Sequence, residues 1–260
     1  MLVTGSPQFD IQDDSGNGSG IAPIAQWLSA LKTEHNPDLR GLACFDIDSS
    51  LKDILIRLQV ILYPPISRGA NLCTNDLHDL TCYVLHKLLL PFTAELTPES
   101  ECLRYALAIY MFVIHGPTYY SHLAILHQIV LKLRNHLRAV MTPNDMDSSL
   151  LIWCFSIGMS ASIGTEAHDW FITSAAPLTS SQGLETLDNV ESCLQSILPL
   201  DAQSKAMFHV AWQPIFNSTQ LAEELPGKPT TALENLANHG NNEQCTKGST
   251  YPAESSTNPP

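Results

Sequence analysis

His78, Cys82 and His86 recur at four-residue steps, and a helix would line their donor atoms along one stripe beside an apolar face. Adjacent members of such a stripe can share a metal ion, as the two histidines of an H-E-x-x-H helix do. All three cannot, because the first and third lie about 12 Å apart along the axis. No glutamate stands in the register a metalloprotease needs. The expectation is therefore that the three side chains flank a helix–helix contact and hold no metal.

His115, His122 and His127 surround the turn Gly116-Pro117-Thr118-Tyr119-Tyr120. They could line a polar pocket for a small effector. The plainer expectation is that they close one helix and begin the next. Lys132, Arg134 and Arg138, with His136, form the sole basic cluster. It lacks interleaved aromatic residues and reads as a solvated helix face rather than a nucleic-acid patch.

Signatures of a reaction are missing. The chain has no G-x-S-x-G nucleophile turn, no phosphate loop and no G-x-G-x-x-G turn. Gly16-Asn17-Gly18-Ser19-Gly20 comes nearest to the last, but its third glycine arrives one residue early and no strand precedes it. Asp145 and Asp147 sit in a Pro/Asn loop and read as a helix cap, not as an aspartate-rich metal motif. The reading is no catalytic, cofactor-binding or metal residue, no cofactor, and no enzyme.

Composition narrows the class further. In 260 residues, hydrophobic types make up 44% and charged types 15%, far from the signature of a disordered chain. The formal charge of −13 repels phosphate backbone, so direct nucleic-acid binding is not expected. The amino terminus has no basic stretch leading into an apolar run. The most apolar segments, 105–114 and 150–163, fall short of the roughly 20 residues that span a bilayer. These features predict a soluble intracellular protein with no membrane contact. Seven cysteines, at positions 44, 73, 82, 102, 154, 193 and 245, include no C-x-x-C pair, which predicts reduced and mostly buried thiols.

The elements that would position these residues are helical. Residues 1–20 read as a disordered leader, 21–217 as a helical domain, and 218–260 as a disordered tail. The first clear helix follows Asp48-Ser49-Ser50 and carries Leu51, Ile54, Leu55, Leu58, Ile61 and Leu62 on one face, with Lys52, Asp53 and Arg57 opposite. A second runs from about 75 to 90. A third starts at Thr97-Pro98-Glu99, with Thr as N-cap and Pro at the first helical position. It is apolar all round from Tyr105 to Ile114, which predicts a central buried helix. A fourth spans about 119–140. A fifth, about 148–163, is again apolar, with Ser156, Gly158, Ser160, Ala161 and Ser162 allowing close approach. A short sixth bears Trp170 and Phe171, and further helices fall at about 186–198 and 202–216. The predicted class is all-α, a single array of antiparallel helices between two disordered tails.

Three stretches carry a family likeness. They are Glu101-Cys102-Leu103-Arg104-Tyr105-Ala106-Leu107-Ala108-Ile109-Tyr110 with its continuation to Ile114; Trp153, Phe155 and Gly158 followed by His168-Asp169-Trp170-Phe171; and Val190-Glu191-Ser192-Cys193-Leu194 leading to Leu200-Asp201 and Trp212. In this order they resemble the helical regulatory region of fungal-specific transcription factors, over about residues 48–216. The resemblance implies a nuclear transcription regulator acting through protein partners, as a homo- or heterodimer, with control of a metabolic gene cluster as a further expectation. In that family the region follows a six-cysteine binuclear zinc cluster. None of the seven cysteines has that spacing, and Pro199 precedes Leu200-Asp201 where relatives commonly carry an aromatic residue. The alternative reading is a small all-helical metal- or ligand-binding protein or enzyme that uses the histidine-rich turns.

Overall fold

The computed structural model describes residues 21–30, 47–62, 72–89, 95–116, 123–141, 148–198, 200 and 202–223. The expected leader, most of the expected tail, His122, the Asp145/Asp147 loop, the Gly16–Gly20 segment and Pro199 lie outside them. Among the described residues every regular element is an α-helix. In chain order these are α1 (Ala25–Ala30), α2 (Ser49–Leu62), α3 (Thr74–Leu89), α4 (Pro98–His115), α5 (Leu123–Val140), α6 (Ser148–Ser162), α7 (Glu166–Gln182), α8 (Leu187–Ile197) and α9 (Ala202–Glu223). The chain is all-α, as the periodicity predicts.

Local chemistry explains where these helices begin. Asp48 caps α2, its Oδ1 accepting from the Ser50 N–H at 2.8 Å and from the Leu51 N–H at 3.4 Å. Thr97 caps α4 by accepting from the Ser100 N–H at 3.2 Å, with Pro98 at the first helical position and Glu99 and Glu101 near the positive end of the dipole. Thr186 and Asn189 make a reciprocal capping box at the start of α8. At the other end of α7, Gly183 adopts a left-handed φ of 64° that a side chain would resist.

The two helices that are apolar all round occupy the middle. Helix α4 packs against α2, α3, α5 and α6, while α6 packs against α4, α5, α7 and α8. Every residue of α4 from Tyr105 to Met111 is buried. On α6, Trp153, Phe155, Ile157 and Met159 are wholly buried. Gly158 is required by its neighbour, since a Cβ there would come within 2.2 Å of the Phe171 ring on α7. Trp212 of α9 donates its indole N–H to Ser156 Oγ at 2.9 Å, satisfying two buried polar groups at once. Far apart in sequence, Gln59 of α2 donates to the carbonyl of Ile197 at 2.7 Å, taking up one of the terminal acceptors that α8 leaves open.

Several details differ from the sequence reading. Arg57 does not share the solvent face with Lys52 and Asp53: only 3% of it is exposed. The reason is α1, a helix of six residues with no cap signal, which covers that face and had no signature in the sequence. The sixth helix is not short but runs for 17 residues through Pro177. Tertiary packing of Phe171, Ala175 and Thr179 holds it together across the lost hydrogen bond. The last helix continues past the expected domain end at 217 to Glu223.

Candidate functional site

The chemistry-bearing residues gather in three places, of which the junction of α3 and α4 is the richest. His78 stands in the second turn of α3, and His115 is the last residue of α4, just before the Gly116 cap. Packing of α3 on α4 brings His78 Nδ1 within 3.0 Å of His115 Nε2. The ring centroids lie 5.1 Å apart. On the other side of the same imidazole, His78 Nε2 lies 3.6 Å from the Cys82 thiol, one turn along α3. The order Cys82–His78–His115 is thus a hydrogen-bonded relay across two helices. Burial pushes the Cys82 thiol pKa up, and the nearby Asp79 carboxylate adds to the effect, so the sulfur stays protonated and uncharged.

Of the expected stripe, His78 and Cys82 are brought together, whereas His86 lies two turns further along α3. Of the expected turn cluster, His115 pairs with His78, and His127 is an exposed residue of α5. No sequence signal foretold the His78–His115 pair. The partners are 37 residues apart and sit on different helices.

The basic cluster on α5 is solvated at Lys132 and Arg138, as expected, while Arg134 and His136 are half-buried, and aromatic rings of neighbouring helices lie beside it. Lys132 lies 5.6 Å from the centroid of the Tyr105 ring, and His136 stacks on the same ring at 5.4 Å. Arg104 approaches it from α4 at 4.8 Å and donates to the Tyr105 hydroxyl at 3.0 Å. Arg138 lies 5.7 Å from the Trp170 ring of α7. The cations Arg104, Lys132 and Arg138 are drawn to aromatic faces by the ring quadrupole, while His136 makes a ring stack. The interleaved aromatics missing from the linear motif are supplied by α4 and α7. Burial lowers the His136 pKa, and Arg104 and Lys132 push it the same way against the opposing pull of Glu101.

A third cluster closes the edge between α8 and α9. Glu191 accepts from Lys205 at 2.5 Å and lies 3.4 Å from His209, one turn further on. These polar groups rim a shallow cleft lined by Leu187, Val190, Leu194, Leu200, Phe208 and Trp212. The hydrogen bond from Lys205 holds the Glu191 carboxyl below its ordinary range.

The remaining thiols are mostly structural. Burial pushes Cys102 up to about 12, with Glu99 and Glu101 adding to it, and Cys154 is raised by complete burial. Cys73 alone among the described cysteines is exposed. Among the described residues, no group of three or more His, Cys, Asp or Glu side chains is arranged to hold a metal ion. No described helix is long and apolar enough to cross a membrane. Compared with known protein families, with curated proteins and with solved structures, the chain matches none.

Proposed function

We propose that this chain is the regulatory interaction domain of a transcription regulator of the fungal-specific type, acting in the nucleus through protein partners and catalysing no reaction. One observation supports it above the others: the three stretches that resemble the family pack on one another. The first lies on α4 and the second on α6 and α7; of the third, Val190–Leu194 lies on α8, Leu200 between helices and Trp212 on α9, with Asp201 outside the described residues. Tyr110 of the first meets Trp153 of the second at 5.9 Å, and Trp212 of the third bonds to Ser156 between Trp153 and Gly158. Residues that share a core vary together in a family, so a resemblance carried by mutually packed positions has a physical basis.

The same reading accounts for the basic cluster of α5. Lys132, His136 and Arg138 serve aromatic rings within the fold, and the net charge of −13 disfavours phosphate. Partner recognition then falls to protein surfaces, with dimerisation and control of a metabolic gene cluster as parts of the proposal. Fusing the whole chain to a heterologous DNA-binding domain tests it. The expected result is a change in reporter output, with the unfused chain concentrated in the nucleus. An unchanged reporter together with cytosolic localisation would overturn the reading.

A further inference from the structure

The His78–His115 pair has a geometry that the proposed regulatory role does not use. Two imidazole nitrogens from separate helices stand 3.0 Å apart, at an edge of the molecule where His78 is exposed and His115 half-buried. A lone hydrogen bond at an edge that water reaches contributes little to stability, because water competes for the partners. The same two nitrogens are spaced as a chelate. With metal–nitrogen bonds of about 2.1 Å, a separation of 3.0 Å closes an N–metal–N angle of about 90°.

We propose that His78 Nδ1 and His115 Nε2 are the two protein ligands of a divalent transition-metal site joining α3 to α4, of the nickel(II) and copper(II) class. A right-angled pair of imidazoles suits the tetragonal geometry of these ions. Tetrahedral zinc would need its two nitrogens nearer to about 3.4 Å apart and a closed set of four ligands. With no third protein ligand converging among the described residues, water completes the coordination sphere.

Cys82 has a distinct part. A ligating histidine is held in place by a partner on its other ring nitrogen, which fixes the tautomer. Cys82 Sγ stands 3.6 Å from His78 Nε2, the position of that partner. With the proton of His78 on Nε2, facing sulfur, the lone pair on Nδ1 faces His115. For the metal to enter, His115 moves its proton from Nε2 to Nδ1. Both rings stay neutral and no proton is released. Bound there, the ion would fasten the end of α4 to the second turn of α3, a place where an effector could stiffen the fold.

The test is titration of the untagged full chain with nickel(II), which leaves thiols unoxidised, followed by calorimetry, with zinc(II) and magnesium(II) in parallel. Wild type should bind one nickel ion, zinc less tightly, and magnesium not at all. His78→Ala and His115→Ala should each weaken nickel binding at least tenfold, while His127→Ala, at an exposed histidine elsewhere, should leave it unchanged. Thermal unfolding without metal identifies any variant that fails to fold. Should one of the pair do so, His78→Gln or His115→Gln takes its place and must show the same loss. Absence of nickel binding by wild type, unchanged affinity in either variant, or tighter binding of zinc would overturn the proposal. So would a thiolate-to-metal absorption band, which would make Cys82 a ligand.

Discussion

The guanidinium of Arg57 lies 4.9 Å from the centroid of the Trp27 indole and donates from Nη1 to the carbonyl of the same residue at 3.3 Å. Its Nε donates in turn to Asp53 Oδ2 at 2.8 Å, so one buried cation joins α2 to α1 through a ring face, a backbone acceptor and a carboxylate. Trp27 also meets Tyr83 of α3 edge to face at 5.1 Å. Arg57→Ala removes the cation–π contact and leaves the Trp27 carbonyl without this donor. The expected loss is about 2–3 kcal/mol in urea unfolding. Arg57→Lys should recover only part of it, because an ammonium cannot stack and donate in both directions as a planar guanidinium does.

Gly158 and Phe171 make a second tight contact. In Gly158→Ala the new Cβ would fall 2.2 Å from Phe171 Cε1, deep in the core, where the ring has little freedom to retreat. A destabilisation of about 1–3 kcal/mol is expected. Combining it with Phe171→Leu should be less damaging than the sum of the two single changes, and a double-mutant cycle measures the difference.

Ser156 and Trp212 depend on each other in a polar sense. Ser156→Ala takes away the acceptor of a buried indole N–H and should destabilise by about 1–3 kcal/mol. Adding Trp212→Phe, which removes the orphaned donor, should cost less in the Ser156→Ala background than in wild type. Equal costs in both backgrounds would mean that the hydrogen bond contributes nothing net.

Acid should weaken the junction of α8 and α9. The Glu191 carboxyl is held below its ordinary value of 4.5 chiefly by the Lys205 hydrogen bond. A carboxylate with a depressed folded pKa contributes stability that is present above its unfolded value and is lost as pH falls through the folded one. Wild type should therefore lose stability below about pH 4.5, and Glu191→Gln should lose less over the same range. The pair is partly exposed, so the difference should stay under about 1 kcal/mol and shrink with added salt.

Thiol labelling separates the cysteines by environment. Cys73 is exposed and should react with iodoacetamide in the native state, whereas Cys102 and Cys154 should react only after unfolding. Peptide mass spectrometry of labelled protein reads this directly. Native-state labelling of Cys154 would contradict the packing of α6.

The helices were legible because their signals are local. Thr97-Pro98-Glu99 announces the start of α4, and a run of apolar residues on every side announces its burial. The same rules failed at Arg57, because a single helix cannot show that another will cover its polar face. They missed α1, whose six residues carry no cap signature and gain their helicity from packing against α2. The relay at the α3–α4 junction was half legible: Cys82 and His78 follow the helix repeat, but His115 joins them only through packing. Likewise, the ring contact of Lys132 and the partial burial of His136 were not legible, because Tyr105, their ring, belongs to another helix.

The bond from Gln59 to the carbonyl of Ile197 closes a loop of chain 138 residues apart. Most of the helix contacts join near neighbours in the chain, such as α3 with α4 and α4 with α5, and these can form early at little entropic expense. The Gln59 bond is remote and should form after them, once the intervening helices have shortened the span. It is therefore a latch on the way out rather than a guide on the way in. Gln59→Ala should speed unfolding while leaving the folding rate nearly unchanged, the kinetic mark of a contact made after the transition state.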